Sequence, residues 1–468
     1  MLFNSIEFLG AFLPITLLFY FLLNRYKLYS AGKMWLLFCS LFFYAWWKPI
    51  YLILIISLML FNFFAGQKLN YVENPRRRKF FYIACLLANL SVLVYYKYTN
   101  FLVNNINLLL PKGHELLIDH IALPLAISFF TFQKFAYITD SYRGETKGYN
   151  FLDFSLFVCF FPQLIAGPIV HHKKIVPQFE DVSKKRFQAD NFTKGVYLFL
   201  MGLIKKIAIA DTFALIANAG YGGGGGQLSF ADSWITSLSY GIQLYYDFSG
   251  YSDMAIGAAL LFNIELPINF NSPYKSANIQ DFWRRWHITL GAFLREYIYI
   301  PLGGNRKREF KTSMNLIITF LVGGIWHGAN WTFVIWGLMH GIALVIHRQW
   351  QKAGRKMNNT LGIIITFLFV NFAWVFFRAS TFSGAVNVIK SMIGINHFKY
   401  EGSKVLQDIY IMPTLLVGVI LLFCKNPIQL VNEFKPDKKR LAYMVILTII
   451  GLIFLNSITA NDFLYFDF

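Results

Sequence analysis

Apolar residues run along this chain in blocks of helical length, with short polar connections between them. The blocks lie at 6–24, 34–47, 50–65, 80–96, 121–138, 195–215, 234–246, 314–326, 331–346, 361–377, 409–423 and 443–457. They do not alternate with period two, so each predicts a buried helix rather than a strand. Several fall short of the ~20 residues that a helix perpendicular to a bilayer needs. Short spans predict tilt, local thinning, or helices that stop inside protein. The N-terminus, Met1-Leu-Phe-Asn-Ser, has no basic region and no small-residue cleavage site, so 6–24 reads as a retained span. The run at 151–170 is also apolar, but it contains Pro162, Gly167 and Pro168, and both its flanks are basic. Prolines break helices, and a chain that enters and leaves by one face must be enclosed by protein. A re-entrant hairpin is therefore expected there. The glycine run at 220–226 has no following Lys-Ser/Thr and no preceding strand, so it reads as a flexible outer loop, not a phosphate loop.

Composition turns these helices into a membrane protein. Of 468 residues, 56% are hydrophobic, 19% aromatic and only 14% charged, and the mean hydropathy is +0.47. A soluble domain carries about a quarter charged residues. An ordinary cytosolic enzyme and a disordered chain are excluded, and no linker divides the sequence, so 1–468 reads as one integral membrane domain. The net charge of +19 would suggest nucleic acid in a soluble protein, but here the cations sit in loops between apolar runs. With the N-terminus outside, the inside loops hold 33 of the 43 Lys and Arg. That bias predicts a multi-pass protein of the cytoplasmic membrane whose 67–79, 171–194 and 271–311 connections face the cytosol. Cys39, Cys85, Cys159 and Cys424 lie far apart in apolar runs, which predicts small core residues, with neither a disulfide framework nor a metal site.

Three polar clusters interrupt the apolar pattern. The first is 264–311, where aromatic and arginine residues alternate. An interfacial helix accounts for Trp283 and Arg284, but not for His287 ahead of an apolar run, nor for Asp281 near two arginines. The second is Gly323-Gly324-Ile325-Trp326-His327-Gly328-Ala329-Asn330 between two spans. An ionisable residue at that depth needs a partner or a wet cavity, so His327 is a functional candidate with Trp326 and Asn330 beside it. The third is Gln243 to Asp253, where Tyr246, Asp247 and Asp253 close an apolar run. It reads as a hydrogen-bonded collar that orients other groups at a cavity mouth.

Taken together, these residues resemble the membrane-bound O-acyltransferase family, in its bacterial polysaccharide O-acetyltransferase branch (peptidoglycan and alginate). The resemblance runs over nearly the whole chain. It is carried by Ser128-Phe-Phe-Thr-Phe-Gln133, Phe161-Pro-Gln-Leu164 with Gly167-Pro168, and Asp281-Phe-Trp-Arg-Arg-Trp-His287. It continues through Pro301-Leu-Gly-Gly-Asn-Arg306, Trp326-His-Gly328, Trp374 with Phe377-Arg-Ala379, and the aromatic terminus 463–468. The resemblance implies an all-α polytopic bundle of about 11–12 transmembrane helices with a thinned centre and a tunnel joining both membrane faces. It implies that His327 and His287, forty positions apart, are the catalytic pair, and that Gln163, Asp281, Trp326, Asn330, Tyr246 and Asp247 line or orient that tunnel.

Acetyl transfer to an alcohol needs a base for the hydroxyl proton and a dipole for the oxyanion. His327 is the expected base; His287 would orient or protonate. The expected donor is acetyl-CoA, a polyanion suited to a basic cytosolic face, with Lys173, Lys174, Arg284 and Arg285 as candidate contacts. No permanently bound cofactor and no metal are expected. The family's logic implies a separate extracytoplasmic esterase-like (SGNH) transferase as partner. Two alternatives remain: D-alanyl transfer to teichoic acid, and a transporter. A transporter would show inverted halves with paired broken helices, and no such symmetry is visible.

Overall fold

The computed structural model describes residues 1–222, 228–306, 308–395, 409–457 and 463–464. Among these residues there are helices and connections and no strand. The expected glycine loop lies largely outside the described residues, as do 465–468. The helices are α1 Phe8–Arg25, α2 Tyr29–Ala45, α3 Tyr51–Tyr71, α4 Pro75–Asn107, α5 Ile127–Arg143, α6 Phe151–Cys159, α7 Phe161–Leu164, α8 His172–Glu180, α9 Ala189–Ile204 and α10 Asp211–Tyr221. They continue as α11 Phe230–Leu261, α12 Ile279–Arg285, α13 Ile288–Leu294, α14 Glu309–His327, α15 Trp331–Lys352, α16 Asn359–Arg378, α17 Phe382–Met392, α18 Ile411–Leu422, α19 Pro427–Asn432 and α20 Lys438–Ser457. Each of the twelve apolar blocks falls on a helix. Among the described residues, α1, α3, α4, α15 and α16 are long and apolar enough to cross a membrane. The fold is all-α and polytopic.

Starts are written in local chemistry. Asn74, Asn150, Asn278, Asn330 and Asn358 each cap a helix, their side-chain oxygens accepting backbone N–H groups of the first turn. Pro75 follows its cap, where a missing N–H costs nothing.

The chain forms two compact units. The first comprises Met1–Phe199 and Met254–Pro267. Its core is aromatic: Phe3, Phe8, Phe12, Phe43 and Phe161 meet at centroid distances of 5.0–6.0 Å. Polar groups inside it pair with one another, as Asn62 and Asn89 do through reciprocal amide bonds of 2.9 and 2.8 Å. The 151–170 segment lies here. α6 has nine residues, about 14 Å at 1.5 Å per residue, and the chain breaks at Phe160 before α7. Phe154 to Ala166 is buried throughout. A broken, protein-enclosed segment is what the prolines predicted. Gly167 allows the return, because a Cβ there would stand 2.5 Å from the Gln163 Cα.

The second unit comprises Leu200–Asp253 and Ile268–Phe468. Its interior holds Trp286, Trp336, Trp374, Tyr240 and Tyr251, all fully buried. α14 and α15 run against each other with glycine between them. A Cβ on Gly324 would meet the Phe333 carbonyl oxygen at 2.4 Å, and one on Gly337 the Phe320 carbonyl oxygen at 2.5 Å. Small residues let backbones approach this closely, the usual source of helix cohesion in lipid. α11 is longer than the 234–246 block, because Asp247 and Asp253 continue the helix on its inward face with lysines supplied from elsewhere. Lys206 binds Asp247 at 2.6 Å and Asp211 at 2.9 Å, and Lys205 binds Asp253 at 2.7 Å. The carboxylates of the expected hydrogen-bonded collar are thus held in ion pairs with lysine. Cys39, Cys85 and Cys159 are buried as expected; Cys424 is exposed, lying just past the end of α18.

Candidate active site

α12 ends at Arg285, and the chain turns through Trp286 and His287 before α13 begins. His287 adopts φ 44°, ψ 53°, a left-handed conformation that costs a non-glycine residue free energy. The strained turn is held by backbone bonds: Ile288 N–H donates to the Asn269 carbonyl (3.0 Å) and Gly291 N–H to the His287 carbonyl (3.0 Å). The conformation delivers the imidazole to a wholly buried position. There it stands edge-on to Phe248 at 4.8 Å.

The tautomer of His287 follows from its neighbours. Asn269 Oδ1 accepts the Thr289 backbone N–H (3.2 Å) and hydroxyl (2.9 Å). A backbone N–H can only donate, so that side-chain atom is the oxygen. His287 Nδ1 lies 3.1 Å from the same oxygen and must carry the proton. The basic lone pair therefore sits on Nε2. Burial lowers the pKa of this imidazole and keeps it neutral.

His327 is the last residue of α14 and is buried. Its ring lies 6.5 Å from that of His287, centroid to centroid. Trp326 (4.9 Å), Trp336 (5.0 Å) and Phe377 (5.1 Å) surround it. The following Gly328 accommodates the Phe333 ring, which a Cβ would meet at 2.1 Å. The structure thus brings the two histidines into one aromatic cluster in the second unit, with Trp326 beside both: its ring also lies 6.3 Å from His287.

Other expected residues take different places. Asp281 pairs with Arg285 at 3.0 Å, one turn along α12, and both are partly exposed. It does not join the histidines, because its helix directs it to the same face as that arginine. Asn330 caps α15 and donates to the Ser380 carbonyl at 2.8 Å. Asp247 is occupied by Lys206 and by the Leu464 N–H (3.0 Å); its neighbour Phe248 is the residue that touches His287. Tyr246 packs against Tyr245 at 5.0 Å. Gln163 belongs to the first unit and donates to the Phe157 carbonyl at 2.6 Å. Lys173 and Lys174 are exposed in the first unit, Lys173 paired with Glu145 at 2.5 Å. Arg284 is exposed in the second.

The sequence reading missed His340. It is fully buried on α15 and meets Trp336 edge-on at 4.8 Å, the ring that also stands edge-on to His327. Trp283 Nε1–H donates to its Nδ1 at 3.2 Å, so Trp283 points inward and is not an interfacial anchor. His340 Nε2 then carries the ring proton and finds no acceptor among the described residues. The available signal was Gly337 and Gly341 flanking a histidine one turn apart.

The reading also missed a cluster in the first unit. Asp140, His171 and His172 place three ligand-type atoms within 4.8 Å of one another. Both Nε2 atoms face Asp140 Oδ2, at 3.0 and 2.9 Å. His171 Nδ1 accepts the Lys173 N–H, so its Nε2 carries the proton and donates to Asp140. Arg143 occupies the other carboxylate oxygen at 3.0 Å, and the Tyr149 hydroxyl meets His172 Nδ1 at 2.9 Å. Among the described residues these atoms could hold a metal ion, and in this structure they form a hydrogen-bonded clamp in which His171 donates to Asp140.

Residues 77–383 match the model of the membrane-bound O-acyltransferase family. The chain is 45% identical to a peptidoglycan O-acetyltransferase of Helicobacter pylori, over 100% of this chain and 98% of that protein. It is 41% identical to a probable alginate O-acetylase, AlgI, of Pseudomonas aeruginosa, over 84% of this chain and 75% of the relative. It is 29% identical to a teichoic acid D-alanyltransferase of Streptococcus thermophilus, over 54% of this chain and 68% of the relative. The paired buried histidines, the all-α fold and these matches agree: the chain belongs to the membrane-bound O-acyltransferase family and is an O-acyltransferase.

Proposed function

We propose that this enzyme takes acetyl from cytosolic acetyl-CoA and passes it across the membrane for O-acetylation of an extracytoplasmic polysaccharide, with peptidoglycan as the final acceptor. The observation that carries the reading is the histidine pair, two buried imidazoles 6.5 Å apart among aromatic rings. The acceptor hydroxyl oxygen attacks the thioester carbonyl; the C–O bond forms and the C–S bond breaks. His327 takes the hydroxyl proton and returns it to the thiolate, releasing CoA as the free thiol. His287 presents a lone pair at Nε2, so it accepts a hydrogen bond from a second hydroxyl of the acceptor and sets its direction. Protonating the leaving thiolate is not its role, since its one proton is committed to Asn269. Preference for peptidoglycan rests on the full-length similarity to the Helicobacter protein.

The charge bias of the loops supports a cytosolic donor side, with Lys173, Lys174, Arg284 and Arg285 as candidate phosphate contacts, Lys173 and Arg285 exchanging Glu145 and Asp281 for phosphate. A separate esterase-like transferase outside would complete the delivery to sugar. The test is release of CoA from radiolabelled acetyl-CoA by purified protein in proteoliposomes. His327→Ala should insert normally and lose ~10²–10⁴-fold in rate. Near-normal release by that variant would overturn the assignment. Muropeptides from expressing cells should gain acetyl esters; acetylation of another polymer alone would overturn the acceptor. Cysteine labelling of intact cells should modify a probe at Gly224 and spare one at Ser183; the reverse pattern would overturn the sidedness.

A further inference from the structure

The first unit carries a groove of about 720 Å³, well inside the 300–1,000 Å³ range of ligand sites. Its long wall is the apolar face of α1, from Pro14 through Leu18 to Leu22. Its other wall comes from the connection before α9: Phe187 stands edge-on to Phe21 at 5.6 Å and packs against Phe192 at 5.3 Å. One end is different in kind. Arg25, Lys27, Lys185 and Arg186 all line the groove, and the lining contains no acidic side chain. Lys185 is buried, donates to the Phe179 carbonyl at 3.0 Å and lies over the Tyr29 ring, so it fixes the connection. Arg25, Lys27 and Arg186 are exposed, and among the described residues none of them forms an ion pair. Lys27 holds φ 61°, a strained conformation that turns the chain directly after α1.

An apolar channel with three uncommitted cations at one end complements one class of molecule, an amphiphile with an anionic head and an acyl tail. We propose that this groove binds an anionic phospholipid, its phosphate held by Arg25, Lys27 and Arg186 and one acyl chain laid along α1 against Phe187. Arg25 and Lys27 lie in the 25–33 connection, which the same charge count places inside together with 171–194, so the cations lie at the level of lipid headgroups. A helix face bathed in bulk lipid would be flat and indifferent to headgroup; this one is concave and charged. The site shares no residue with the histidine cluster and does not depend on the reaction assigned there.

The test is native mass spectrometry and thermal shift of the purified full chain in neutral detergent, with phosphatidylglycerol, phosphatidylcholine, inorganic phosphate and acetyl-CoA offered separately. Phosphatidylglycerol should be retained and should raise Tm, while phosphatidylcholine should do neither. One charge near a headgroup is worth about fivefold in affinity. The Arg25→Gln/Lys27→Gln/Arg186→Gln variant should therefore weaken phosphatidylglycerol by ~100-fold, and its three exposed positions leave the core intact. Leu18→Trp, which fills the channel and spares the cations, should weaken phosphatidylglycerol too. Equal retention of both lipids would overturn the proposal. So would undiminished retention by either variant, or binding of phosphate or acetyl-CoA that the triple variant abolishes while lipid binding persists.

Discussion

Asn269 and His287 share a hydrogen bond of 3.1 Å whose direction is decided by a third residue. Because the Thr289 N–H already donates to the Asn269 oxygen, the imidazole can only donate to it as well. The backbone amide of Thr289, twenty positions from Asn269, thus fixes which ring nitrogen of His287 keeps the free lone pair.

Removing that choice has a kinetic signature. Asn269→Ala should lower kcat by ~10–100-fold, less than loss of the imidazole itself, because the ring remains but samples both tautomers. Asn269→Asp keeps the acceptor and adds charge, which favours the imidazolium. It should retain more activity than Ala and move the acidic limb of the pH–rate profile to higher pH. A profile identical to wild type in both variants would remove Asn269 from the mechanism.

The backbone contact between α14 and α15 predicts a local intolerance to one methyl group. Gly337→Ala places a Cβ 2.5 Å from the Phe320 carbonyl oxygen, and overpacking of this kind costs about 1–3 kcal/mol. Gly10→Ala meets nothing within 4 Å and should change stability by less than ~0.5 kcal/mol. Thermal unfolding in detergent separates the two; equal Tm values would contradict the close approach.

Lys206 neutralises two buried carboxylates, Asp211 and Asp247. Lys206→Met leaves both acids without their cation and should destabilise by about 3–5 kcal/mol. Adding Asp211→Asn and Asp247→Asn should recover most of that loss, since the penalty lies in the uncompensated charge. A single variant as stable as wild type would show that the acids are held protonated.

The Asp140 clamp predicts a pH dependence of stability. Burial lowers the pKa of His172 below its ordinary value near 6.5, outweighing the opposing pull of Asp140. Between the folded and unfolded values the unfolded chain binds more protons, so stability is full above the unfolded pKa and falls as pH drops below it. Lowering pH from 7 to 5 should therefore reduce Tm in wild type, and His172→Gln should flatten that slope. An unchanged slope would mean that His172 does not titrate in this window.

Hydropathy located every span, because exclusion from water acts on each segment separately and needs no knowledge of its neighbours. The break at Phe160 was equally legible, since Pro162 and Pro168 act on their own backbone. Partnership was not. The block ending at 246 hid fifteen further residues of α11, because Asp247 and Asp253 look hydrophilic until Lys205 and Lys206 arrive from the turn after α9. His287 and His327 stood out by interrupting apolar pattern beside tryptophan. His340 did not, because one histidine in a long apolar helix changes mean hydropathy little, and its importance lies in Trp283 and Trp336, fifty-seven and four positions away. Trp283 was misread for the same reason: ring and cation spacing looks alike on a membrane surface and against a protein core.

Where α14 meets α15 at Gly324 and Gly337, backbone lies against backbone, with no side chain on either glycine to change rotamer or absorb a shift. A displacement of one helix must then be handed on undiminished to the other, which makes the pair a rigid lever with His327 at one end. Ile346, on α15, is 61% exposed and can carry a nitroxide without disturbing that contact. Paired with a second label at Leu416 on α18, 62% exposed, it would let pulsed dipolar spectroscopy follow the histidine's movement through a turnover cycle from the lipid side.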